Sequence, residues 1–114
     1  LSSVDVVFAT AAAGVEVMSA QQVDRASRLL VAADVNAVPP AGIAGVGVMD
    51  NGKLVGQHDA LGIGALAIGN VKYEVQQRLF MQMLAAKEKV YLGFDDALDM
   101  ARRVVTERSS LATA

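Results

Sequence analysis

The chain has 114 residues, 54% of them hydrophobic and 19% charged, with a formal net charge of -2. That hydrophobicity excludes intrinsic disorder and supplies a modest core for one compact domain, or part of one, while a pI near 5.2 without any Lys/Arg cluster argues against a nucleic-acid partner. No cysteine and a single histidine, His58, remove disulfides, thiolate chemistry and a multi-histidine metal site together, and suit a reducing cytoplasm.

No run approaches the roughly 20 apolar residues that a membrane span needs. The opening LSSVDVVFATAAAGV has no basic flank and contains an acid, so it is a poor secretory signal. Lacking an initiator Met and starting almost directly with a strand, the chain reads as a piece of a longer protein.

Residues 4–10 (VDVVFAT) form a nearly continuous apolar run rich in β-branched side chains, the pattern of a parallel strand covered on both faces. A small-residue connection over 11–17 follows. Ser19 and Gln22 then have capping-box spacing and Met18 and Val23 that of a hydrophobic staple, which predicts a helix to about Ser27. Residues 29–35 (LLVAADV) read as a second buried strand, completing a βαβ unit with a right-handed crossover expected.

Residues 36–47 (NAVPPAGIAGVG) read as a loop. Segments 46–50 and 53–57 flank Asn51 and Gly52, which predicts a hairpin turning at that dipeptide. The glycine-rich stretch from Asp59 leads to a helix predicted over 70–86, with Asn70 as N-cap and Val71, Val75, Leu79 and Met83 along one stripe. Met81 and Met83 read as core filler. A last helix is predicted over 95–108, with Asp95 and Asp96 suited to its N-terminal dipole. The domain is therefore assigned to 1–108, and 109–114 to a disordered tail.

In a parallel α/β sheet, ligands bind beyond the carboxyl ends of the strands. After Thr10 the small side chains of Ala11, Ala12, Ala13 and Gly14 would let a flat ligand approach the backbone, or they only ease packing. Asp34 and Asn36 either face that edge or tie down the Pro39, Pro40 loop by local hydrogen bonds. Residues 62–67 (GIGALA) match G-x-G-x-x-G/A formally, but no strand follows the next helix. Their glycines instead let the backbone pass close to a ligand or to another strand. Lys72, placed in a helical first turn where a cation is mildly disfavoured, either meets an anionic or electron-rich group or is a solvated surface lysine. Glu74 and Arg78 have the spacing of a surface ion pair. His58 reads either as a proton carrier or, as a lone loop histidine more often is, as a structural or exposed side chain.

Taken together, FATAAAG, ADVNAVPPAGIAGVGVMDNGK and ALGIGALAIGNVK resemble the C-terminal half of the NAD(P)-dependent methylene-tetrahydromethanopterin dehydrogenases of methylotrophic bacteria. More distantly they resemble the Rossmann domains of methylene-tetrahydrofolate and shikimate dehydrogenases. The likeness runs from about Val4 to about Val105 and is most specific in DVNAVPPAGI and LGIGALAIGNVK. It implies an α/β fold, the C-terminal half of a Rossmann-like parallel sheet with flanking helices. It also implies an oxidoreductase with NADP, or NAD, as cofactor and a tetrahydropterin one-carbon carrier as substrate; the absent cysteines suit a cytoplasmic location, and strands that only a partner sheet would bury lead to an expected homo-oligomer.

By that resemblance Thr10, Ala11 and Ala12 border the nicotinamide-side ribose, and Asp34, Asn36 and Pro39 line the cleft near the nicotinamide. Gly62, Ile63 and Gly64 offer backbone groups to the cofactor, and Lys72 stands near the reacting centre. The family's own G-x-G-x-x-G loop and its pterin-binding N-terminal domain would lie upstream of Leu1. Where relatives often carry Gly-Gly before the lysine, this chain has Gly69 and Asn70. The rival readings are a shikimate-dehydrogenase-like oxidoreductase, whose lysine-aspartate pair is not visible here, and a non-catalytic half-domain.

Overall fold

A computed structural model describes residues 1–113. The elements run β1 (Val6–Ala9), α1 (Ala20–Arg25), β2 (Val31–Asp34), β3 (Asn51–Val55), β4 (Ala60–Ile63), α2 (Ala65–Ala85) and α3 (Phe94–Ala112). They divide into two compact units, Leu1–Ile68 and the remainder from Gly69 onward. The fold is mixed α/β with a mostly parallel sheet, consistent with half of a Rossmann-like domain.

The first unit carries one sheet in the order β1-β2-β4-β3. β1, β2 and β4 are parallel, and β3 lies antiparallel on the β4 edge. The start of α1 is set locally. Ser19 Oγ accepts the Gln22 amide at 3.4 Å, and Gln22 Oε1 accepts the Ser19 amide at 2.9 Å. Met18 and Val23, the staple pair, are both buried in the core with Leu29, Ala32 and Ile43. Burying each large aliphatic side chain contributes about 1.5–3 kcal/mol.

That core covers one face of the sheet, where Ala9, Ala32, Val55 and Ala60 point inward. The strand register places Val6, Val31, Leu61 and Leu54 in a row on the other face. There Val6 is 44% and Phe8 70% exposed. The expectation that β1 is covered on both faces is thus met on one face only.

The hairpin differs from the expected one. Asn51 and Gly52 lie inside β3, and Gly52, at a φ of +84°, is the extra residue of a bulge between Asn51 and Lys53. Residues 46–50 form no strand, and the reversal falls at residues 56–59, where Gly56 (φ +69°) and Asp59 (φ 59°) are left-handed. Asn and Asp favour both turns and left-handed backbone, so two turn signals competed and β4 pairing chose the later one.

α2 begins at Ala65, five residues before the expected Asn70. Alanine, leucine and isoleucine at 65–68 extend the helix readily, and the Gly69 interruption costs too little to stop it. In the second unit Val75 and Val104 are buried, whereas Met81 and Met83, expected in the core, are exposed. Asp96 Oδ2 accepts the Gly93 amide at 2.8 Å at the start of α3. That helix continues through Ser109 to Ala112, residues assigned to a disordered tail, with Ser109 Oγ donating to the Val105 carbonyl. Ala114 of that tail lies outside the described residues. Among the described residues no helix is long and apolar enough to cross a membrane.

Candidate functional site

The carboxyl ends of β1 and β2 lie side by side, with Ala9 opposite Asp34, and Ala33 is in turn opposite Ile63 of β4. The loops that leave these strands, residues 10–14 and 35–40, therefore emerge at one edge. Thr10, Ala11 and Ala12 are exposed there, and so is Pro39, which is joined to Pro40 by a cis peptide bond.

Asp34 is 2% exposed and turns back into its own loop. Its Oδ1 accepts the Asn36 amide at 2.9 Å, and its Oδ2 accepts the amides of Gly42 at 2.7 Å and Ile43 at 3.1 Å. A carboxylate buried in this way needs such donors, because losing water without replacement costs several kcal/mol. Asn36, 8% exposed, accepts the amides of Gly14 at 3.1 Å and Val38 at 2.9 Å through Oδ1. Its Nδ2 donates to the Pro40 carbonyl at 2.8 Å. Of the two readings the sequence left open for these residues, loop-tying is the one their hydrogen bonds display.

Gly62 and Gly64 sit against the chain itself. A Cβ on Gly62 would come within 2.6 Å of Val55 Cγ2, and one on Gly64 would collide with the carbonyls of Gly47 and Val48. Between them Ile63 is half-buried at the end of β4. The close approach read in these glycines is thus made to neighbouring segments of the fold. The Gly64 amide donates to the Asp50 carbonyl and the Leu66 amide to that of Val48, so the 47–50 turn receives the start of α2.

Lys72 is not in a first turn. It lies seven positions after Ala65, about 10 Å along the helix axis, and the dipole effect fades within one turn. The cost that singled it out is therefore absent. It stands exposed beside a groove of about 380 Å³, lined by Val75, Leu79, Phe80, Met83 and Leu92. His58 Nε2 donates to the Asp24 carbonyl at 2.8 Å, which ties the β3–β4 turn to α1.

Glu74 and Arg78 belong to a larger cluster. Arg78 bridges Glu74 and Glu107, each at 2.6 Å, and Arg108 pairs with the second oxygen of Glu74. The hydrogen bond from Arg108, then that from Arg78, holds the Glu74 carboxyl below the usual carboxylate range, and Arg78 does the same to Glu107. Among the described residues no group of acids and His is placed to hold a metal ion.

No family model matches the chain. It is 46% identical over 101 residues to the NAD(P)-dependent methylenetetrahydromethanopterin dehydrogenase of Methylorubrum extorquens, a match that covers 89% of this chain and 34% of that protein. The resemblance to that dehydrogenase is borne out. The bifunctional protein MdtA of the same organism is 33% identical over 85 residues, covering 75% of this chain and 29% of its own length. The chain thus spans about a third of each of these curated relatives.

Sequence reasoning paired Asp34 and Asn36 with the strand edge and did not foresee Gly14 as a partner of Asn36. Its signal was Gly14 itself, left-handed at a φ of +74° and the one glycine in the first loop. Asp50 was also missed; its Oδ2 accepts the Gly47 amide at 2.7 Å and closes the turn beneath Gly64.

Proposed function

We propose that the protein carrying this chain oxidises the methylene bridge of a pterin-bound one-carbon unit, on tetrahydromethanopterin or tetrahydrofolate, to the methenyl form. The observation that carries this reading is the 46% identity to a methylenetetrahydromethanopterin dehydrogenase over 89% of the chain. The shared carboxyl edge of β1, β2 and β4 supports it, because dinucleotides lie across such edges.

The residues present fit that group at the first loop, where the exposed small side chains of Ala11 and Ala12 leave the backbone approachable beside Thr10. When bound, a nicotinamide dinucleotide supplies the carbon that accepts the hydride. Thr10, Ala11 and Ala12 border its ribose in this reading. Pro39 forms part of the substrate wall, and Asp34 and Asn36 act from behind by holding the loop that carries it. Gly62, Ile63 and Gly64 contribute through the backbone course of β4 into α2. Lys72 offers positive charge towards the pterin. The nitrogens flanking the methylene carbon stabilise the cation formed on hydride loss, so no general base is required. The protein's part is alignment and electrostatics. NADP is the expected cofactor, and the open apolar face bearing Val6, Phe8, Leu54 and Leu61 supports a homo-oligomer.

Thermal unfolding of the full-length protein tests the reading. Stabilisation by NADP or NAD, increased by a reduced pterin, is expected. No response to either would leave a non-catalytic half-domain.

A further inference from the structure

The loops at the carboxyl ends of β1 and β2 are joined at three points along the chain. Nearest the sheet, the Val35 amide donates to the Ala9 carbonyl at 3.1 Å. Farther along both segments of chain, the amides of Val17 and Met18 donate to the Gly42 carbonyl at 2.8 and 3.0 Å. Between these backbone ties the connection is made by the side chain of Asn36, which accepts the Gly14 amide across 22 residues of chain while holding Val38 and Pro40. Asp34 makes no such crossing; its three bonds stay within residues 36–43. The two loops are also close, since a Cβ on Gly14 would lie 3.4 Å from the Pro39 carbonyl oxygen.

Both lone pairs of Asn36 Oδ1 are occupied by these amides, and one of its two Nδ2 hydrogens is used, so it has no acceptor left to offer a ligand. We propose that Asn36 is a positioning residue, setting the spacing between residues 10–14 and the Pro39 loop and so the alignment of hydride donor and acceptor. This inference rests on the dehydrogenase reading above. Hydride transfer needs its reacting atoms held about 3–3.5 Å apart, and a misplacement of about 1 Å costs on the order of a hundredfold in rate. The backbone ties that flank Gly14 and Asn36 along the chain remain when the Asn36 side chain is removed, so the fold survives while the contact between the two loops loosens.

The test uses the full-length protein with NADP or NAD and methylene-tetrahydromethanopterin or methylene-tetrahydrofolate. For Asn36→Ala, kcat is expected to fall about tenfold or more with both KM values nearly unchanged. Deuterium in the methylene bridge should then slow kcat more than in the wild type, because hydride transfer has become the slow step. Asn36→Asp keeps the acceptors for Gly14 and Val38 and should fall between wild type and Asn36→Ala. If Asn36→Ala does not fold, Asn36→Asp is read by the same criteria. A lower melting temperature with wild-type kcat overturns the positioning role and leaves the dehydrogenase reading intact, as does a raised KM with unchanged kcat. A wild-type protein that turns over neither pterin overturns both.

Discussion

Gly64 lies so close beneath the carbonyl of Gly47 that no side chain fits between them. The atoms in the way are backbone, held by the Asp50 carboxylate and by the amides that open α2, so they cannot swing aside. Gly64→Ala should therefore destabilise the protein by about 2 kcal/mol or more. Gly69, five residues on within α2, has open space where a Cβ would stand. Gly69→Ala should stabilise by about 0.5–1 kcal/mol, through helix propensity alone. Chemical denaturation of the two variants checks the pair, and equal effects would contradict the packing described.

Asp34→Ala strips three buried amides, those of Asn36, Gly42 and Ile43, of their acceptor. Each unsatisfied donor costs about 1–3 kcal/mol, and the costs do not simply add. A loss of about 3 kcal/mol in the free energy of unfolding is expected. A loss below about 1 kcal/mol would mean that water replaces the carboxylate and that the loop is held by other means.

Lys72→Ala should lower turnover, or affinity for the pterin, by about tenfold or more in the full-length protein, the scale of a lost electrostatic contact at a reacting centre. Lys72 is exposed, so the melting temperature should hardly move. Steady-state kinetics decide the matter, and wild-type constants would return Lys72 to the solvent.

The Glu74, Arg78, Glu107 and Arg108 cluster links α2 to α3 within the second unit. Both glutamates have folded-state pKa values lowered from an ordinary 4.5. A lowered carboxylate binds its proton less readily when folded, so its contribution is present above 4.5 and lost as pH falls through the depressed value. Glu74→Gln should thus reduce the melting temperature near neutrality, and the gap from wild type should close as pH falls below the ordinary carboxylate range. Added salt should narrow the same gap, because all four side chains are substantially exposed. A gap independent of pH would mean that the cluster acts through packing rather than charge.

Some of this was written locally and could be read without coordinates. Ser19 and Gln22 stand three residues apart and meet because a helical turn brings them together, and the same turn joins Met18 to Val23. The apolar runs at 4–10 and 29–35 contain the strands Val6–Ala9 and Val31–Asp34, and their apolar character required a sheet. Other features depended on distant parts of the chain. Asn51 and Gly52 suit a turn and also suit a bulge, and only pairing with Ile63 and Gly62 chose the bulge. Helix α2 could start at Ala65 because the carbonyl of Val48 was there to receive the Leu66 amide.

The sequence by itself determined β1, α1, β2 and the strand edge they share, because caps, staples and periodicity act over a few residues. The tertiary structure decided what Asp34 and Asn36 do at that edge. A buried polar side chain must find partners, and those of Asn36 include an amide 22 residues away that no local pattern announces.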